Sequence, residues 1–390
     1  MPAPAAPLAL RTTARLIALA LTTWLTTTPV WAAPEASYPL PPVSSRHASS
    51  IEKGRAFARE LLASKHLPGL SVAVAQHGQV LWSEGFGYAD LEQHVPVTPL
   101  TRFRVGSISK VFTAAAVARL VEEGRLDLDA PVQKYVPTFP KKQWPVTTRQ
   151  LTGHVAGVRH YVDKDEVIFQ QAKHFDSVAR GLELFQADPL LFEPGTRYAY
   201  SSYGWNLVSA VIEGASGEEF LRHLHRSVLE PLGLRHTGAD HPHQLIPDRT
   251  RFYAPGPSGT HLHAAHVDNS YKWAGGGLLS TAEDLVRFGS AHLQPGFLRE
   301  QTLALLFTSQ KLQSGKETGV GIGWRLGVTP QGRRFFHHRG AIEGGRGLLL
   351  LFPDSRLVVA LLTNMYADVV EEHASQLAEL FLSEPARASP

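Results

Sequence analysis

The sequence predicts an α+β fold: an antiparallel sheet assembled from both ends of the chain, flanked by the terminal helices, with a mainly helical lobe inserted between its halves. Three observations carry this. β-type runs lie early, in "LSVAVAQHGQVLWSEGFG" (70–87), and return after residue 318 in "GVGIGWRLGV", "RRFFHHRG", "GLLLLFP" and "RLVVALLTNM". Between them, "SYGWNLVSAVIEGA" and "STAEDLVRFGSAHL" place apolar residues three and four apart, the helical period. At 390 residues, 43% hydrophobic and 19% charged, the chain can bury a sizeable core.

The elements follow in order. Residues 1–32 read as an export signal, with Arg11 and Arg15 ahead of the apolar "LIALALTTWL", then Pro29 and the small cleavage residues of "VWA". The rival reading is a membrane anchor, but the segment is short, threonine-rich and interrupted by proline. No later stretch is long and apolar enough to span a bilayer. Residues 33–48, rich in Pro, Ala and Ser, form a flexible leader. The sheet lobe spans 49–105 and 312–390, and the helical lobe 106–311. Ser49 and Glu52 are expected to cap a first helix, and Ser280 and Glu283 a later one. Gly78 marks a hairpin turn, and "VVEEHASQLAELFL" is a final amphipathic helix.

The chain has no cysteine, so it has neither disulfides nor thiolate metal sites. With the signal, this places the mature protein, starting near Ala33, in a periplasmic or secreted setting without disulfides. The formal charge is +3, and Lys and Arg are scattered, which argues against nucleic-acid binding. Nothing in the sequence sets the oligomeric state.

One stretch raises a chemical question. "RVGSISKVFTAAAV" (104–117) holds Ser107, Ser109 and Lys110. On a helix, Ser107 and Lys110 share a face, whereas Ser109 points about 100° away from Lys110. At a helix start, the macrodipole favours negative charge on the Ser107 oxygen. A buried Lys110 could give up its proton and act as a base. The pattern S-x-x-K alone is weak, because "SIEK" (50–53) repeats it on an amphipathic surface helix. The helix after Ser107 is apolar nearly all round, and a lysine on a buried helix needs a reason.

Two later stretches supply partners. "YAYSSYGWN" holds Tyr200, Ser201 and Ser202, and a tyrosine beside an ammonium can relay protons. "FFHHRGAIEGGRG" holds His338, Arg339, Gly340 and Ala341, where glycine lets a ligand approach the backbone. The amides of Ser107 and Ala341 could then form an oxyanion hole.

Together, S-x-x-K, a Y-x-S and an H-x-G in this order resemble serine β-lactamases of class C, D-alanyl-D-alanine peptidases and related esterases. The resemblance spans nearly all of residues 50–383 and implies the β-lactamase/transpeptidase-like form of the α+β fold. "PVQKYVPTFP", "GHVAGVRHY" and "VDNSYKWAGGGLLST" resemble the mitochondrial serine β-lactamase-like subgroup and its bacterial relatives. The resemblance implies that Ser107 is acylated, that Lys110 activates it and that Tyr200 shares and passes the proton. Ser202 would be the polar third residue of the second motif. His338, Arg339 and Gly340 would be the third, substrate-binding motif, and the amides of Ser107 and Ala341 would hold the oxyanion. It implies no metal or organic cofactor, and a small-molecule or peptide substrate. Peptidase or amidase activity comes first, then esterase, then β-lactamase.

Two departures stand out. Arg339 replaces the usual Thr or Ser that binds a substrate carboxylate; it could still pair with a carboxylate, point away from the cleft or obstruct it. Ser202 replaces Asn, which argues against efficient β-lactam turnover. Ala156 of "HVAG" stands where relatives often carry serine, a structural change in a loop. A non-turnover sensor that keeps the acylating serine is the non-enzymatic alternative. "HLHAAH" (261–266) lacks the aspartate of metallo-hydrolase motifs and reads as a histidine-rich surface loop.

Overall fold

The computed structural model describes residues 47–163, 165, 172–369 and 371–382. The segment expected to be an export signal, residues 1–32, and the expected leader up to residue 46 lie outside the described residues. Among the described residues, no helix is long and apolar enough to cross a membrane.

The chain enters through helix α1 (Ala48–Ser64) and a hairpin of β1 (Gly69–Gln76) and β2 (Gln79–Asp90). Gly78, at φ +81°, turns the hairpin as expected. Short β3 (Val95–Pro96) pairs with β2, and β4 (Phe103–Arg104) leads into the helical lobe. The lobe contains α2 (Ser109–Glu122), α3 (Thr148–Thr152), α4 (Val178–Leu182), α5 (Ser202–Ser216) and α6 (Phe220–Leu224). Next come β5 (Gly238–Ala239), β6 (Tyr253–Pro255), β7 (His261–His263), α7 (Trp273–Gly276), β8 (Leu278–Ser280), α8 (Ala282–Ala291) and α9 (Glu300–Phe307). The chain then returns as β9 (Arg325–Val328), β10 (Arg334–Ile342), β11 (Gly345–Phe352) and β12 (Leu357–Thr363), and ends in α10 (Glu371–Leu382).

The large sheet has the order β3-β2-β1-β12-β11-β10-β9, so the two ends of the chain meet where β1 pairs antiparallel with β12. Both faces of this sheet are covered, which is why its central strands read as unbroken apolar runs. Leu348, Leu350, Val359 and Leu361 pack under α1 and α10, while Leu349, Leu351, Val358 and Ala360 face the helical lobe. Neighbouring residues on one strand thus serve two separate cores, as the period of two requires.

Three local expectations need correction. Helix α1 starts at Ala48 after His47, and no side chain caps it, so Ser49 lies inside the helix. Helix α8 is capped by Thr281, whose hydroxyl accepts from the Asp284 amide at 3.1 Å, one residue later than Ser280. The Ser280 hydroxyl bonds Thr237 instead, at 2.8 Å. The "HLHAAH" stretch is no loop throughout: His261–His263 is strand β7, paired with β6. His261 bonds the His66 carbonyl at 2.7 Å and His263 lies 3.3 Å from Glu92, so these rings point to different partners.

Candidate active site

Ser107 sits in a tight turn, Gly106–Ile108, that runs straight into α2. The turn needs Gly106 at φ +50°, a left-handed conformation that disfavours a side chain. It also needs room: a Cβ at Gly106 would lie 2.9 Å from the Ala341 amide nitrogen. A Cβ at Gly340 would fall 1.8 Å from the Val105 carbonyl oxygen. These two glycines let β10 lie directly against the serine turn. Ser109 braces that turn, donating to the Gly106 carbonyl at 2.7 Å and accepting from the Leu278 amide at 3.2 Å.

Lys110, one turn along, is fully buried. Its Nζ donates to Ser107 Oγ at 3.0 Å, to Ser202 Oγ at 3.1 Å and to the Gly275 carbonyl at 2.5 Å. The Tyr200 hydroxyl donates to Ser107 Oγ at 2.8 Å. Burial lowers the Lys110 pKa from its usual value, against opposing attraction from Tyr200. For Tyr200, burial favours the neutral phenol, but the Lys110 ammonium and the surrounding hydrogen bonds outweigh it, and the net direction is down. The two groups titrate as a pair. Removing one proton from that pair turns a donor to Ser107 into an acceptor, which is what an activated nucleophile requires.

The segment that presents Tyr200 and Ser202 is held by two histidines from "GHVAGVRHY". His154 Nδ1 accepts from the Ser201 amide at 3.1 Å, and His160 Nδ1 accepts from the Ser202 amide at 3.2 Å. Their rings flank Tyr200 at centroid distances of 4.4 and 5.3 Å. Burial and then the Lys110 charge push the His154 pKa well down and that of His160 to about 4, so both stay neutral acceptors. Ser201 caps α5 through the Gly204 amide at 2.9 Å and donates to the Arg159 carbonyl at 2.8 Å. Ala156 is buried in this loop.

On β10, His338 is buried, and its Nδ1–H donates to the Arg339 carbonyl at 2.8 Å. Burial, then Lys110 and Arg325, keep this imidazole neutral, with its pKa well below the usual value. Arg339 is half-exposed, and its guanidinium lies 3.6 Å from Glu371 of α10. Ala341 and Gly340 bring their backbone to the turn of Ser107. A cavity of about 480 Å³ opens here, lined by Ser107, Tyr200, Ser202, His338, Arg339 and Ala341 among others. Every site residue expected from the sequence therefore lies in one place. Arg339 lies at its edge, directed toward α10.

The sequence reading assigned no role to His154, His160, Lys272 or Arg325. The two histidines and Lys272 sat in stretches already noted for their likeness to a subgroup. Arg325 lies in "GVGIGWRLGV", whose sequence signals only a strand. Arg325 pairs with no carboxylate among the described residues: it donates to the Tyr198 hydroxyl at 3.1 Å and lies 5.6 Å over the Tyr200 ring.

A family model described as Beta-lactamase matches residues 55–380. The chain belongs to the beta-lactamase family. It is a member of the penicillin-binding-protein-like serine hydrolases within that fold. It is 31% identical to the serine beta-lactamase-like protein LACTB, mitochondrial, of Homo sapiens, over 81% of this chain and 74% of the relative. It is 27% identical to penicillin-binding protein 4* of Bacillus subtilis (strain 168), over 81% and 72% respectively. The octameric penicillin-binding protein homologue from Pyrococcus abyssi superposes with a TM-score of 0.74 at 26% identity, covering 85% of this chain and 77% of that one.

Proposed function

We propose that this beta-lactamase-family chain is an exported hydrolase that forms an acyl-enzyme on Ser107, acting on peptide or amide bonds. The observation that carries the reading is the double contact on Ser107 Oγ, from Lys110 Nζ at 3.0 Å and the Tyr200 hydroxyl at 2.8 Å. With one proton removed, the Lys110–Tyr200 pair takes the serine proton as Ser107 Oγ attacks the substrate carbonyl. The oxyanion is received by the amides of Ser107 and Ala341. The C–N bond then breaks, and the pair returns the proton to the leaving amine. Water attacks the ester carbonyl with the same pair as base, releasing the acid and restoring Ser107. No step calls for a metal or organic cofactor.

Burial of Lys110 supports this reading, because a desolvated ammonium gives up its proton more readily than a solvated one. The neutral His338 and the Ser202 hydroxyl line the acyl pocket, and the turned-away Arg339 leaves that pocket open.

A fluorophosphonate probe is expected to label the wild-type protein and not Ser107→Ala. Absence of label on Ser107 would overturn the acyl-enzyme reading. The purified mature protein is then assayed against aminoacyl amides, D-Ala-D-Ala peptides, p-nitrophenyl esters and nitrocefin. Turnover of the amides and peptides is the expected result. Turnover of nitrocefin alone overturns the amidase preference, and labelling without any turnover identifies an acyl acceptor. Sequencing the N-terminus of the secreted material should begin near Ala33.

A further inference from the structure

A second cavity, of about 600 Å³, shares no lining residue with the Ser107 cavity. Its charge is one-sided. Arg104, Arg249 and Arg251 line it, and Asp240 is the one lining carboxylate among the described residues. The lining also carries Leu245, Ile246, Pro247 and Phe252, and Leu245 is fully exposed.

The arginines are held by the fold. Thr250 is buried, donating to the Ala89 carbonyl at 2.8 Å and accepting from Asn364 at 2.9 Å, and Arg249 and Arg251 flank it. Arg104 is buried, with its guanidinium 3.8 Å over the Phe252 ring and its Nε 2.7 Å from Asp240. Arg249 reaches the same carboxylate at 3.3 Å, and Asn269 donates to it at 2.9 Å. One buried anion therefore serves two guanidiniums. Arg251 is the loosest of the three. Its side chain is exposed, and Asp90, outside the lining, lies 3.4 Å away with its other oxygen accepting from the Glu92 and Gln93 amides. That separation exceeds the usual length of a charge-assisted hydrogen bond. Guanidinium forks suit phosphate oxygens, and a phosphomonoester is close to dianionic at neutral pH, matching the excess of arginine over carboxylate in the lining. The apolar lining suits an aromatic or alkyl body on that phosphate.

The cavity backs onto the catalytic turn. Arg104 Nη1 donates to the Glu343 carbonyl at 3.0 Å, in the turn that joins β10 to β11. A Cβ on Gly344 of that turn would lie 2.4 Å from the Phe252 Cβ. The same hairpin end carries Ala341 and Ile342 into the Ser107 cavity. The chain after Arg104 runs through Val105 and Gly106 to Ser107. Arg104 thus ties the turn of the nucleophile to the hairpin that lies against it.

We propose that this second cavity is an effector site for a phosphomonoester with an apolar or aromatic body, acting on Ser107 through Arg104. A phosphate that recruits the Arg104 guanidinium competes with the Glu343 carbonyl for it. The spacing of the Ser107 and Ala341 amides then changes. The site stands apart from the acyl-enzyme reading, and its effect on Ser107 rests on that reading.

Phenyl phosphate is titrated calorimetrically into the purified protein at about pH 7.5, where it is dianionic, with phenol and inorganic phosphate in parallel. Phenyl phosphate is expected to bind with a Kd below about 1 mM, inorganic phosphate more weakly and phenol not at all. Arg251→Gln should weaken binding by about tenfold, the size of a charge-assisted contact, with the fold retained by circular dichroism. Arg325→Gln, in the Ser107 cavity, should leave it unchanged. Saturating phenyl phosphate should slow fluorophosphonate labelling of Ser107 by about fivefold, and Arg251→Gln should lose that response at the same concentration while keeping its basal labelling rate. No binding to wild type, or undiminished binding to Arg251→Gln, overturns the site. Lost binding in Arg325→Gln also overturns it, because the ligand then occupies the Ser107 cavity. Binding with unchanged labelling overturns the effector role. Absence of label without any ligand removes the acyl-enzyme reading alone, since calorimetry reads the site independently.

Discussion

The chain carries the same tetrapeptide pattern twice, and the two copies end in opposite situations. At Ser50–Lys53, the serine hydroxyl is spent on the Leu380 carbonyl at 2.5 Å, and Lys53 stands in solvent. At Ser107–Lys110, the lysine is wholly buried and its ammonium reaches Ser107, Ser202 and Gly275. Both copies are helical, so the difference is not local. Helix α1 covers one face of the sheet and leaves its other side in water, whereas α2 is enclosed by α5 and α7, and β10 lies against the turn that precedes it. Enclosure strips water from Lys110 and brings Tyr200 to the serine, and both effects shift proton affinity.

Removing each serine in turn is the strongest way to break this comparison. Ser107→Ala should lower turnover by at least about 10⁴-fold and abolish fluorophosphonate labelling. Ser50→Ala should keep the label and cost about 1 kcal/mol of stability, read by urea denaturation. If Ser50→Ala also loses the label at full stability, the contrast is wrong. The lysines come next. Lys110→Met should cost about 10³-fold in kcat, while Lys53→Ala should change denaturation by no more than about 0.5 kcal/mol. Tyr200→Phe should lower kcat by about 10²-fold, and a full rate would show that Lys110 acts alone.

A further variant sharpens the role of enclosure. Gly340→Ala puts a methyl group 1.8 Å from the Val105 carbonyl, so β10 must retreat from the serine turn. Activity should fall by about 10²-fold with the fold retained by circular dichroism, because small misplacements at the reacting centre are expensive. The smallest effect concerns pH. His160 and His292 stay neutral in the fold down to about 4, whereas a free imidazole titrates near 6.5. Between those values the unfolded chain binds the extra protons, so stability should fall as pH drops from about 6.5 toward 4. His160→Gln should flatten that slope in urea titrations; an unchanged slope would mean that the ring is already charged.

Much of this was legible from the chain. Apolar runs such as "GLLLLFP" indicated strands, and β11 is one, buried on both faces in the structure. The three-residue spacing of Ser107 and Lys110 indicated a shared face. The caps were less legible: Thr281, not Ser280, caps α8, because Ser280 bonds the Thr237 hydroxyl instead. The supporting side chains were the least legible. His154 and His160 matter through single ring nitrogens aimed at backbone amides of another segment, and no periodicity encodes that direction. Arg325 joins the site from the edge strand β9, although 215 residues separate it from Lys110.

The sequence by itself determined the principal strands and helices, since apolar period and turn chemistry are local properties, but not short strands such as β7. It also set the order of nucleophile, tyrosine and third motif, which is a property of the chain. Only the tertiary structure decided which S-x-x-K has its lysine buried against its serine, and which way Arg339 points. Those outcomes depend on desolvation and on charges brought together from distant segments, and they exist only once the two lobes have closed around Ser107.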